Sequence, residues 1–294
     1  MSGLAYPLQI LVTGLGLGSV YALVALGFVM IYRAVNVVNF AQGDFAMIGA
    51  YAMVLLTLAW HVPFLLAFGL TIVVMALFGV LFQFGVYYPL RYRSYLPVII
   101  STIGASILLE NGVLTIAGPE PQQLPTVFGS GGLYLGSVFI SYQYLTIFVL
   151  TIALIVLQYL FFERTLLGKK MQATAQDITM ARLLGIPVGV MIAFTFAYSA
   201  ALGGIAGVLV GPIIFVSVGM GSSIALQAFA ASIIGGFGSI AGAIIGGLLL
   251  GLADSFGAAY ISAPYRDAYG FVLLIVILIV RPQGILGEKI AEKA

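Results

Sequence analysis

Three acids interrupt stretches of this sequence that otherwise carry no charge for long distances: Asp44, Glu110 and Asp254. Asn36, Asn39 and Gln42 precede the first, Asn111 follows the second, and Gln227 stands alone in a later apolar block. In hydrocarbon an ionisable side chain is costly and turns toward a bundle interior or a wet cavity. These eight residues are therefore candidates to line a translocation pathway. The competing reading is that each one caps a helix end at the membrane surface. Gly235, Gly236, Gly238 and Ser239 join the candidates because they cluster at an apparent break in an apolar helix.

Other chemistry is poorly supplied. Cysteine is absent, which removes disulfides, thiolate metal sites and thiol nucleophiles together. His61 is the only histidine, and in Trp60-His61-Val62-Pro63 it reads as an interfacial residue where a membrane helix ends. No metal site is expected, and Ser-His-Asp catalysis would have to run through that one imidazole. A membrane-embedded enzyme has too few catalytic groups here. Gly236-Phe237-Gly238-Ser239-Ile240-Ala241 has the spacing of a relaxed dinucleotide fingerprint but no soluble strand before it. Gly168-Lys169 lacks the rest of a phosphate-binding loop, so any ATP used must bind another chain. No cofactor is expected, and no basic stretch suggests nucleic acid.

The elements that position these residues are membrane helices. Of 294 residues 62% are hydrophobic and 7% charged, against about 25% charged in a soluble domain. Uncharged runs reach from Met1 to Tyr32, Phe45 to Leu90, Pro121 to Phe162 and Leu183 to Ala253. A membrane helix needs about 20 such residues, and runs of that length exclude a β-barrel of alternating short segments. The expected fold is all-α and polytopic, one transmembrane domain over residues 1–294 with about eight or nine membrane elements. The spans are expected at about Leu8 to Tyr32, a short one ending near Trp60, then Pro63 to Tyr88 and Tyr95 to Ala117, the last interrupted at Glu110-Asn111. Further spans cover about Gln143 to Phe162 and Val188 to Val210, ending at Pro212, and a last one ends at Arg281. The first run is too long for a signal-peptide core and is expected to stay in the mature protein.

Orientation follows from Lys and Arg, which favour the cytoplasmic side. Arg91 and Arg93, then Arg164, Lys169, Lys170 and Arg182, then Arg281, Lys289 and Lys293 form three basic groups. Placing all three inside puts the N-terminus outside, the C-terminus in the cytoplasm, and the Gly, Pro and Ser-rich loop 118–142 outside. Parity then requires the block from Ser222 to Ala259 to cross an even number of times. Its halves, about 13 and 19 residues around the glycines, are short for full spans at 1.5 Å per residue. A broken or re-entrant pair beside a pathway is expected, since non-helical backbone at membrane depth must be buried in protein or line a cavity.

The cytoplasmic segment 163–187 is the most charged piece of the chain. Within it, Lys170 through Gly185 reads as one short amphipathic helix, with Gly185 at the C-cap position and Pro187 beyond. Such a helix suits a groove on a partner protein.

The chain resembles the Liv-type family, the permease subunits of ABC importers for branched-chain amino acids. Five stretches carry the resemblance along nearly the whole length: Tyr32-Arg33 through Asn39-Phe40-Ala41-Gln42-Gly43-Asp44, Ser101 through Glu110-Asn111, Ala181-Arg182 through Ile186, Gly235-Gly236 through Gly242, and Arg281-Pro282-Gln283-Gly284. The resemblance implies a subunit in a bacterial inner membrane that moves a small amino acid, branched-chain above all. It implies a second related permease or a second copy, two cytoplasmic ATPases and an extracytoplasmic substrate-binding protein. On that pattern Lys170, Gln172, Asp177, Arg182 and Gly185 belong to the helix that couples to an ATPase, and Gln172 stands where relatives often carry Arg. Amides, urea or aromatic acids remain alternative substrates, and an ion-coupled secondary carrier using the acids remains the rival class.

Overall fold

The computed structural model describes residues 5–126, 129, 131–135 and 138–287; Lys289 and Lys293, assigned above to a basic group, lie outside them. Eleven α-helices are formed among these residues: α1 (Ala5–Val35), α2 (Gln42–Val54), α3 (Phe64–Phe82), α4 (Tyr95–Ala117), α5 (Tyr142–Arg164), α6 (Leu166–Gln176), α7 (Ile178–Leu183), α8 (Val188–Ile214), α9 (Met220–Gly235), α10 (Ile240–Tyr260) and α11 (Arg266–Val280). A wider π-helical turn extends α2 to Ala59, and another extends α3 through Tyr87. Eight helical stretches are long and apolar enough to cross a membrane, and α9 is a shorter apolar one. The chain is a polytopic α-helical membrane protein, as its uncharged runs predict.

Helix α1 is the axis of the bundle, enclosed mainly by α10, α8, α9 and α5. Its crossing with α10 is built from glycine. Gly247 lies against Ala22, Gly251 against Gly18 and Gly14 against Leu252, and at the far end the Tyr6 and Tyr260 rings meet at 5.7 Å. Missing side chains let the backbones approach closely, the attraction available to helices in lipid. The α2–α8 crossing uses the same device, with Gly49 over Gly204 and Gly207 under Ala46. Helices α4 and α11 sit at the rim and leave most of their surface uncovered.

Four sequence expectations need correction. Helix α4 runs through Glu110-Asn111 without interruption, because an acid on an open helix face leaves the backbone ladder intact. The segment from Lys170 to Gly185 is two helices, not one. Asp177 leaves α6 in an extended conformation and caps α7, its Oδ1 accepting from Thr179 N and Met180 N at 2.8 and 2.9 Å. Helix α8 continues two residues past Pro212. Finally, the break at Gly236 and Gly238, where φ is +108° and +97°, is a turn at the end of the bundle. Phe237 packs on Tyr32 at 4.5 Å, beside Arg33. Helix α9, with 16 residues, is as short as expected, but α10 has 21 and lies antiparallel along α1.

The loop 118–142 holds a small antiparallel hairpin, β1 (Gly132–Leu135) and β2 (Val138–Ser141), with Tyr134 opposite Phe139. Phe139 N donates to the Gln9 side chain of α1 at 3.0 Å. His61 is exposed, with φ +53° ending the α2 run beside the exposed Trp60, consistent with its reading as a helix-end residue.

Candidate functional site

Between α1 and α2 the chain reverses at Asn36, φ +53°, and folds back so that α2 starts inside the bundle. Gln42 sits against Gly27 of α1 and donates to the Ser199 carbonyl at 3.3 Å, while the Ser199 hydroxyl lies 2.8 Å from Gln42 Oε1. Asn39 accepts from Ala41 N at 3.2 Å, and Phe40 N donates to Thr102 of α4 at 3.2 Å. No side chain caps α2, but Asp44 stands in its first turn, where a carboxylate complements the positive end of the helix.

Asp44 is fully buried, and Ser106 of α4 faces its carboxylate. Neither oxygen reaches full hydrogen-bond geometry. The N-terminal turn of α9 closes the site: Gly221 packs on Gly43 and Asp44, and the Ser222 hydroxyl donates to Glu110 of α4. Three helices thus converge, and α4 contributes Thr102, Ser106 and Glu110. Their spacing of four places them on one helix face, a signal that could have found Thr102 and Ser106 in the sequence. Ser222 carried no such signal. The site opens to the outside of the chain, where Asn111, Ser222 and Ser223 are exposed on an otherwise apolar surface. Asn111 itself donates to the Ile107 carbonyl at 2.7 Å.

The remaining candidates lie elsewhere. Asp254 and Gln227 form a second locus between α9, α10 and α11. Asp254 accepts from Gly270 N at 2.9 Å and the Tyr21 hydroxyl faces its carboxylate, and Gln227 donates to the Asp267 carbonyl at 3.2 Å. Asp254 Oδ2, Gln227 Oε1 and the Ser255 hydroxyl have no hydrogen-bond partner among the described residues.

A third group, Gly235, Gly236, Gly238 and Ser239, forms the turn at the Arg33 end. Ile285 N and Leu286 N donate to the Ile234 and Gly235 carbonyls at 2.9 and 2.8 Å, so the segment after α11 clasps this turn. Ser239 caps α10 through Gly242 N at 3.0 Å. Asn36, Arg33, Gln176 and Gly238 line a cavity of about 610 Å³ there.

The segment α6–α7 projects beside this cavity. Lys170, Asp177, Arg182 and Gly185 are exposed on it, and Gln172 lies 3.5 Å from Glu163, which also pairs with Lys169 at 2.6 Å. Gly185, φ +75°, ends α7, and Ile186 N reaches back to the Ala181 carbonyl at 3.0 Å. Met180, Leu183 and Leu184 present apolar surface to the outside. The segment thus exposes both charged and apolar side chains. No group of His, Cys, Asp and Glu able to hold a metal occurs among the described residues.

The sequence profile of the family described as "Branched-chain amino acid transport system / permease component" matches residues 10–281. The chain is 40% identical to the high-affinity branched-chain amino acid transport system permease protein BraD of Pseudomonas aeruginosa, over all of both chains. It is 36% identical to the permease protein LivH of Escherichia coli, named for the same kind of system, over 98% of each. Among solved structures it resembles PsaBC from Streptococcus pneumoniae in complex with Fab, with a TM-score of 0.52 and 13% identity, covering 94% of this chain and 92% of that one. At that identity the likeness concerns the fold.

Proposed function

The chain belongs to the branched-chain amino acid transport permease family, and from that premise we propose that it is a membrane-spanning subunit of an ABC importer carrying a branched-chain amino acid across the cytoplasmic membrane. The observation that carries this reading is the full-length identity to BraD and LivH. Hydrolysis of ATP falls to two partner ATPases, and an extracytoplasmic binding protein delivers the substrate to this chain and a second permease. Arg33, Arg91, Arg182 and the α6–α7 projection share one end of the bundle, which supports a cytoplasmic C-terminus and an external N-terminus.

The pathway runs along the open face of α4 and the first turn of α9. A free amino acid carries both charges on its main chain. Glu110 offers an anion to the ammonium group, and the uncapped N-terminus of α9 offers its positive dipole end to the carboxylate. The apolar α4 face around them suits an aliphatic side chain. In the transport cycle, closure of the ATPases on ATP pushes α6–α7, which abuts α5 and α8. Those helices rock and turn the cavity from outward- to inward-facing.

Gentle affinity purification of the tagged chain from its native membrane tests the reading. Recovery of two ATPases and a second permease supports it. Recovery of this chain alone as a transport-competent oligomer overturns it and turns attention to Asp44, Glu110 and Asp254 as ion-coupling groups.

A further inference from the structure

Along the seam between α3 and α8 lies an exposed apolar groove of about 800 Å³, bounded by Val73, Leu77, Val190 and Phe194 among others. Its floor is made small by Gly189, Ala193 and Ala197. The lining on α8 runs over 187–197, about 15 Å of helix rise. That is one leaflet of a hydrocarbon core roughly 30 Å thick, the depth of a single acyl chain.

Tyr88, Val188 and Gly189 also line a second, adjacent cavity of about 460 Å³, whose other lining residues include Gln83, Arg91, Tyr92 and Arg182. This cavity is cationic. Arg91 stacks 3.5 Å from the Tyr88 ring and donates to the Tyr88 carbonyl at 2.8 Å, but neither arginine has a carboxylate partner among the described residues. Gln83, 1% exposed, lines the same cavity with an unpaired side-chain oxygen. The π-helical turn at Gln83–Tyr87 widens α3 beside both cavities.

We propose that the α3–α8 groove and the Arg91–Arg182 cavity together bind one anionic phospholipid, an acyl chain in the groove and the phosphate at the two guanidiniums. Charge complementarity and the shared lining select this occupant. A transmembrane helix would fill the groove but leave both arginines without an anion, whereas a free phosphate would pair with them and leave the groove bare. Because Arg182 lies on α7, the lipid touches the segment assigned above to ATPase coupling; the lipid site itself does not depend on that assignment.

The assembled transporter, reconstituted in equal parts of phosphatidylglycerol and phosphatidylcholine and re-extracted in mild detergent, tests this by native mass spectrometry of the lipids retained. Each arginine near a membrane surface contributes roughly fivefold to the preference for an anionic lipid. The wild type should retain phosphatidylglycerol about 25-fold over phosphatidylcholine. Arg91→Gln should cut that ratio roughly fivefold, and Ala193→Phe, which fills the groove, should reduce retention of both lipids in a complex that still elutes intact. A photoreactive benzophenone amino acid in place of Val190 should crosslink to lipid. Equal retention of the two lipids, an unchanged ratio in Arg91→Gln, or crosslinking to the second permease would each overturn the proposal. Displacement of the bound mass by glycerol phosphate alone would assign the arginines to a soluble anion and also overturn it.

Discussion

Replacing Gly251 with alanine strikes the crossing on which the bundle is built. An ideal Cβ there lies 2.3 Å from the Gly18 nitrogen and 2.4 Å from its Cα, where ordinary contact begins at 3.4 Å. Both blocking atoms are backbone of the enclosed α1, so no side chain can swing aside and the helices must part by about 1 Å. A gap of that size forfeits up to about half of each dispersion contact it opens, and overpacking of this kind costs about 1–3 kcal/mol. Alanine returns about 1 kcal/mol of helix propensity over glycine. With the contact near the severe end, the net loss is about 2 kcal/mol.

Gly18→Ala meets its nearest atoms at 2.8 Å and should lose less. Gly69→Ala in α3 meets nothing within 4 Å, so it keeps the propensity gain. In thermal unfolding of the purified complex, the scale for domains of comparable size is roughly 2–4 °C per kcal/mol. Gly251→Ala should lower the midpoint by about 4–8 °C, Gly18→Ala by less, and Gly69→Ala should hold or raise it. A Gly251→Ala midpoint at or above that of Gly69→Ala would refute the claim that close backbone approach holds α1 to α10.

Four further substitutions probe the site and the coupling segment. Glu110→Gln keeps an acceptor for Ser222 and removes the charge; a charged hydrogen bond exceeds a neutral one by about 1.4 kcal/mol, so uptake of a zwitterionic amino acid should fall about tenfold at unchanged thermal stability, and full uptake rejects Glu110 as a substrate contact. Asp177→Ala removes the cap of α7, worth about 1 kcal/mol, and deuterium exchange over 178–183 should accelerate roughly fivefold while α8 stays protected. Arg182→Glu reverses a charge on the projecting segment, and Gly185→Pro cannot adopt φ +75° or donate the 3.0 Å bond to the Arg182 carbonyl. Both should leave ATP hydrolysis running while uptake drops; normal uptake by both variants removes the coupling assignment.

The order of residues alone marked the chain as a bundle of membrane helices and showed roughly where each begins and ends. Length and hydropathy suffice for that, because a backbone in lipid must satisfy its hydrogen bonds within its own helix. It also marked Gly185 as the end of the helical segment that begins at Lys170, since a glycine with a proline two residues on stops a helix through local geometry alone. It misjudged Asp177, which acts as a cap only because the chain on either side turns there. Tertiary structure decided which helix lies at the centre. Helices α3 and α5 are more apolar than α1, yet they are largely exposed and α1 is enclosed. In lipid the covered and uncovered faces are equally hydrophobic, so periodicity carries little information about burial; close glycine contacts carry it instead. Tertiary structure also sorted the three acids, which look alike in sequence, each a single charge in an apolar run. Packing joins Asp44 and Glu110 through the first turn of α9, and it sends Asp254 to a separate place beneath Gly270.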